Sequence, residues 1–252
     1  MSRGGHEAEV VAGVNPVIEA LRSRPERCNE LIMARGKRLP RAEMILELAR
    51  AAGVRVRYEP SEALNRLAHG LNHQGVVGLF SPRAYIDLED LLEKALADRP
   101  ALIVILDGIS DPQNLGALAR SAEAAGAAGL VLPKDRAAPV TPAAEKVSAG
   151  ALEYLAVARV TNLVRAIERV KEAGLWVAGT VLEGGQSLYE ADLSVDLAVV
   201  VGREDKGLRH EVAKNCDLLL TIPMRGKVQS LNAAQAATIV LFEALRQRLR
   251  PR

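Results

Sequence analysis

Cysteine is nearly absent: Cys28 and Cys216 are the two in 252 residues, far apart and in no CxxC arrangement. That usage argues against a disulfide framework and against a thiolate zinc site. Aromatic residues make up only 3% of the chain, so stacking of bases on exposed rings is not expected to dominate any nucleic-acid recognition. No stretch reaches the ~18 consecutive apolar residues of a membrane span, and the amino terminus lacks the apolar core of a signal peptide. A cytoplasmic protein with no membrane partner is the expectation. The formal net charge of +2 is too small to announce a polyanion. Also missing are a GxGxxG after a strand, a Walker loop, HExxH and GxSxG, so a nicotinamide dehydrogenase or a serine hydrolase has little support.

What is present is an ordinary globular composition, 49% hydrophobic and 25% charged, long enough for one large or two small domains. Its charge is unevenly spread. Residues 1–84 carry 13 Lys/Arg against 9 Asp/Glu, and residues 85–252 carry 20 against 22. The basic excess gathers at Arg35, Lys37, Arg38 and Arg41, around a predicted loop. Such a run is most often a solvated surface.

Apolar patterning divides the chain near residues 82–98. The first part predicts strands at 10–14, 29–34, 55–58 and 75–80 and helices at 16–23, 41–52 and 61–67, with Asn15-Pro16 reading as an N-cap and first helical residue. A connector helix is expected over 88–96. The second part alternates strand and helix from Leu102 to Leu249, which implies a parallel sheet covered on both faces.

Three strand ends in that second part carry the chemistry-bearing residues. The run Leu102–Leu106 is followed by Asp107-Gly108 and Asp111-Pro112, then a helix near Leu115 that Asn114 could cap, with Arg120 six residues further on. Val199–Val201 ends in Gly202, with Glu204 on the loop and Gly207 before a short helix. Leu218–Ile222 stops at Pro223; a loop with Gly226 leads to Ser230-Leu231-Asn232, where Ser230 or Asn232 could cap the long final helix. Taken singly, these are a capping residue, a solvated arginine and a turn glycine. Together, three parallel-strand ends can converge on one cleft, where ligands of α/β folds bind.

The motifs N114-L-G-x-L-x-R120-S, V-V-G202-x-E204-x-x-G207-L and I222-P-M-x-G226-x-V-x-S230-L-N232 resemble, in order and spacing, those of the SpoU/TrmH branch of SPOUT RNA methyltransferases. The resemblance runs on through KVSAGALE (146–153) and GVNPVIEAL (13–21), which is most similar to RlmB-type enzymes that 2′-O-methylate a guanosine of large-subunit rRNA. The implied fold is α/β: a small amino-terminal α/β RNA-binding domain of ribosomal-protein type (1–84), a linker helix (85–98), and a parallel-sheet SPOUT domain (99–252) whose carboxyl-terminal segment is threaded into a trefoil knot. The implied reaction moves a methyl group from S-adenosylmethionine to a ribose 2′-hydroxyl, with no metal.

By resemblance, the backbones at Gly202, Ile222 and Leu231, with Thr180 as a neighbour, bind the adenosyl moiety. Arg120 is implied as catalytic, its role left open; Asn114, Glu204 and Asn232 shape the pocket, and Ser230 takes a phosphate or the ribose. Arg35, Lys37 and Arg38 become expected phosphate contacts, and a homodimer through the final helix is expected. Two departures stand out. Arg203 occupies a place where the family commonly has a small residue, and Ala233-Ala234 follow Asn232 where a Val-Ser-like pair is frequent. Two alternatives remain: a tRNA ribose methyltransferase, and a non-catalytic RNA-binding or ribosome-assembly factor on the same fold.

Overall fold

The computed structural model describes residues 8–36, 39–81, 84–135, 137–138, 140–228 and 230–249. The chain forms two compact units, Met1–Ala84 and Tyr85–Arg252. The first contains β1 (Glu9–Ala12), α1 (Val14–Ser23), a single 3-10 turn (Pro25–Arg27), β2 (Cys28–Ala34), α2 (Ala42–Ala51), β3 (Arg55–Glu59), α3 (Ser61–Leu67) and β4 (Val76–Phe80). Its sheet order is β1-β4-β2-β3, with β2 and β3 parallel and the other pairs antiparallel. Alternate residues of β2 serve opposite faces: Leu31 and Met33 pack with α1 and α2, Ile32 and Ala34 with Leu64 and Ala68.

One predicted boundary is corrected here. Helix α1 starts at Val14, not Pro16, and Asn15 lies inside its first turn instead of capping it. Gly13 turns the chain at φ 102, and the Gln74 Oε1 atom accepts from the Val14 amide at 3.0 Å. The cap comes from a side chain sixty residues away, which no local pattern could announce.

The second unit comprises α4 (Leu88–Ala97), β5 (Leu102–Leu106), α5 (Pro112–Ala124), β6 (Gly129–Pro133), α6 (Pro142–Val147), α7 (Ala151–Tyr154), β7 (Ala156–Val160), α8 (Leu163–Glu172), β8 (Trp176–Thr180), β9 (Gln186–Ser187), β10 (Leu197–Val201), α9 (His210–Asn215), β11 (Leu218–Thr221) and α10 (Ala233–Arg248). Seven parallel strands take the order β7-β6-β5-β10-β8-β11-β9. Leu102, Val104 and Leu106 of β5 face one apolar layer, and Ile103 and Ile105 face the other. Burial on both faces is why β5 and β10 read as unbroken apolar runs. Helix α4, a connector by sequence, buries Leu88, Leu91, Leu92 and Ala95 within this unit.

Small residues set the helix layer on the site's side. A Cβ at Gly116 of α5 would stand 2.5 Å from the Ala144 carbonyl oxygen of α6, so glycine lets the two helices touch. On the other flank α5 meets α10, where the Ser121 and Thr238 hydroxyls are 2.7 Å apart. The far end of α10 is fastened to the opposite edge of the sheet: Arg248 Nη2 donates to the Ala101 and Val195 carbonyls at 3.0 and 2.7 Å.

Candidate active site

Because β8, β10 and β11 are neighbours and parallel, their carboxyl ends open on the same edge. There a cavity is lined by Thr180, Gly202, Ile222 and Leu231, the four residues expected to hold the donor. Val201, Leu220, Ala233 and Ala236 supply apolar wall. Thr180 is tied back to the sheet, its Oγ1 donating to the Val200 carbonyl at 3.2 Å. Leu182 and Met224 also line the cavity and are 44% and 40% exposed. They were not singled out in the sequence, since a lone apolar residue on a loop carries no pattern.

The β10 loop closes on itself. The Arg203 amide donates to the Gly207 carbonyl at 2.9 Å, and the Gly207 amide returns the bond at 2.8 Å. A Cβ on Gly202 would meet the Gly207 carbonyl carbon at 2.3 Å and the Leu208 nitrogen at 2.5 Å. Gly207 itself sits at φ +62 with open space around it. The two glycines of the motif thus answer different demands, close approach at 202 and left-handed backbone at 207.

Beside the cavity, Asn232 joins the three motifs. Its Oδ1 accepts from the Ala234 and Gln235 amides at 2.9 and 3.4 Å, so Asn232, not Ser230, caps α10. That fixes the amide's orientation, and Nδ2 then donates to Asn114 Oδ1 at 2.8 Å and to Glu204 Oε2 at 3.2 Å. Every polar atom of the Asn232 side chain is used. Asn114 Nδ2 and Glu204 Oε1 have no partner among the described residues, a donor and an acceptor free for a ligand.

Asn114 is not the cap of α5. Asp111 takes that place, accepting from the Gln113 amide at 2.9 Å, and Pro112 follows at the first helical position. With the amides at the helix start served by Asp111, Asn114 is released to meet Asn232. The earlier start also moves Arg120 into the third turn of α5. Arg120 is exposed, with no hydrogen bond or ion pair among the described residues, and so is a cation available to an anionic group. Ser230 is half-buried and likewise makes no hydrogen bond among the described residues.

The basic loop belongs to the other unit. Arg35 is exposed, and its Nη2 donates to the Tyr58 carbonyl at 3.3 Å. Lys37 and Arg38 lie outside the described residues. Arg41, at φ 57, precedes α2 and donates to Asn15 Oδ1 at 3.0 Å. No group of three or more His, Cys, Asp or Glu among the described residues could hold a metal ion. No helix among them is long and apolar enough to cross a membrane.

Comparison with known proteins adds to this geometry. The profile of the SpoU rRNA Methylase family matches residues 101–242, and that of RNA 2′-O ribose methyltransferase substrate binding matches residues 10–86. A 23S rRNA (guanosine-2′-O-)-methyltransferase RlmB of Vibrio vulnificus is 41% identical over 244 residues, 96% of this chain and 98% of that protein. Among solved structures, the AdoMet complex of the SpoU methyltransferase AviRb from Streptomyces viridochromogenes is similar with a TM-score of 0.69 and 28% identity, covering 96% of this chain and 91% of the other. An AdoMet-bound rRNA methyltransferase from Sinorhizobium meliloti gives a TM-score of 0.70 and 29% identity, covering 97% and 89%.

Proposed function

The chain belongs to the SpoU rRNA methylase family of S-adenosylmethionine-dependent RNA ribose 2′-O-methyltransferases, and from that premise we propose that its acceptor is the ribose of a guanosine in 23S rRNA. The observation that carries the site is the placement of the strand-end cavity and the Asn114–Asn232–Glu204 cluster around one loop. The choice of guanosine rests on what the 41%-identical relative is named for.

The character of the lining supports the donor reading. The cavity wall is mostly apolar, and the glycine at 202 leaves no side chain to fill it. In this reading, Thr180, Gly202, Ile222 and Leu231 hold the adenosyl part of S-adenosylmethionine, which brings an activated methyl group on a sulfonium. Work left to the protein is alignment of an in-line attack by the ribose oxygen. Asn232 orients Asn114 and Glu204, whose free donor and acceptor position the ribose. Arg120 supplies fixed positive charge as negative charge develops on the 2′-oxygen. A neutral guanidinium at neutral pH would cost on the order of 8 kcal/mol, which argues against Arg120 taking the proton itself.

The smaller unit is read as the RNA-capturing one, in keeping with its basic excess. The α5–α6–α7–α10 layer is read as a homodimer face, since Phe242, Val147 and Tyr154 on it are 44%, 36% and 75% exposed. The trefoil knot remains part of this reading, supported by β10 lying between β5 and β8 while α10 returns to pack on α5. The cytoplasm, where rRNA is made, is the expected location.

The test is to incubate an unmethylated 23S transcript with labelled S-adenosylmethionine and map the modified ribose. Label on a guanosine 2′-oxygen is expected. Label accepted by tRNA alone would transfer the assignment to the tRNA reading, and S-adenosylmethionine binding without any transfer would favour the assembly factor. Sedimentation at micromolar concentration is expected to give a dimer; a monomer would remove that part.

A further inference from the structure

A second and larger cavity, about 440 Å³, opens at the carboxyl ends of β5 and β6. Ser110, Pro133, Asp135, Lys206 and Arg209 line it and not the donor cavity, whereas Arg203 and Gly207 line both. The closed loop 203–207 is therefore a partition with a pocket on each side.

Arg203 lays Cγ and Cδ 3.1 Å from the position a Cβ on Gly108 would take. Its guanidinium pairs with Asp205 through two bonds of 3.0 Å. The floor is a buried carboxylate, Asp107, 1% exposed, which accepts from the Arg209 backbone amide at 2.8 Å and from Arg209 Nε at 2.6 Å. The Arg209 side chain nevertheless remains 56% exposed. Lys206 on the rim is exposed, with no hydrogen bond or ion pair among the described residues. Three cations thus surround the pocket, two of them pinned by carboxylates and one left unpaired, with Asp135 as the opposing acid. The pocket's volume lies within the ~300–1,000 Å³ typical of small-molecule sites, enough for one nucleotide.

We propose that this cavity holds a nucleotide of the RNA flanking the methylated one, its phosphate taken by Lys206 with Arg203 and Arg209 behind it. The proposal rests on the RNA-methyltransferase reading, because it is the shared loop that ties the pocket to the donor cavity. Glu204, on the ribose side, and Lys206, on the rim of this cavity, are two residues apart on loop 203–207, which makes the adjoining nucleotide the occupant we infer. Arg203, as the common wall, makes occupancy of either pocket felt by the other.

The test uses the full-length protein, the unmethylated 23S transcript and S-adenosylmethionine, reading RNA affinity, donor affinity and transfer separately. Lys206→Glu is expected to raise the RNA KM about tenfold, reduce the salt dependence of RNA binding by about one phosphate contact, and leave donor affinity within twofold. Lys206→Arg should restore RNA affinity, and Asp135→Lys should shift it in the opposite direction from Lys206→Glu. Unchanged RNA binding in both charge-altering variants, with wild-type transfer intact, overturns the pocket and spares the reading. If wild type binds the transcript in a Lys206-dependent way but never methylates it, the substrate reading falls while the pocket's hold on an RNA phosphate stands. Lys206-dependent binding of guanosine monophosphate alone, with RNA affinity unaltered, would make this a mononucleotide site and overturn the proposal.

Discussion

Arg120 is exposed and has no protein partner among the described residues, so it contributes little to folding and its substitution reports on chemistry. Arg120→Ala is expected to abolish methyl transfer while donor affinity stays within about threefold, since charge stabilisation acts at the ribose. Arg120→Lys should also be poor, because an ammonium cannot offer a planar fork to phosphate and ribose together. Single-turnover transfer with calorimetry of S-adenosylmethionine separates these effects, and near-normal turnover in either variant contradicts the assignment. The two thiols give a different residue-scale expectation. Burial pushes Cys28 up to about 11 and, together with the nearby Asp217 charge, Cys216 up to about 12, from an ordinary 9.0. The native protein therefore keeps both protonated where the unfolded chain has begun to ionise. Stability held below pH 9 should be lost as pH rises toward 11 to 12. Urea midpoints across that range should fall less steeply in a Cys28→Ala/Cys216→Ala variant, and parallel slopes would refute the linkage.

At the scale of elements, the β10 loop and α10 show what a sequence can and cannot announce. Gly202→Ala should disrupt the loop, because the clash is with backbone that cannot swing aside; loss of donor binding with the rest of the fold intact is the outcome expected by calorimetry and circular dichroism. Arg248→Met should lower stability by on the order of 2 kcal/mol, since it strips donors from the Ala101 and Val195 carbonyls. A urea midpoint equal to wild type would dismiss that latch. Strands β5 and β10 were legible because burial on both faces writes itself as a short apolar run, and β11, only partly buried, because its apolar run stops at Pro223. The caps were not. Asp111 outcompetes Asn114 because Pro112 suits the first helical position, and Gln74 caps α1 from a distant loop. Arg248 carries no local signal in the sequence, yet it reaches the Ala101 and Val195 carbonyls. The motif residues Asn114, Glu204 and Asn232 were visible, but the hydrogen bonds that join them span 118 and 28 positions and exist only in the fold.

For the molecule as a whole, composition concealed a division that charge revealed. The net charge of +2 is the balance of a basic first 84 residues and a slightly acidic remainder. Arg35 is exposed in the first unit, whereas the strand-end cavity lies wholly in the second. If the first unit captures RNA through phosphates, Arg35→Glu/Lys37→Glu/Arg38→Glu should weaken RNA binding by at least tenfold at moderate salt. Each lost contact should also reduce the slope of log affinity against log salt by about 0.7 to 0.9. Affinity for S-adenosylmethionine should not change, because no residue of the donor cavity is touched. Transfer at saturating RNA should then approach wild type, so that the loss appears in KM far more than in kcat. Filter binding over a salt series, with calorimetry of the donor, distinguishes the outcomes. A triple variant with unchanged salt slope and unchanged RNA affinity would assign capture to the second unit alone, where Lys206 and the cavity beside loop 203–207 would have to carry it.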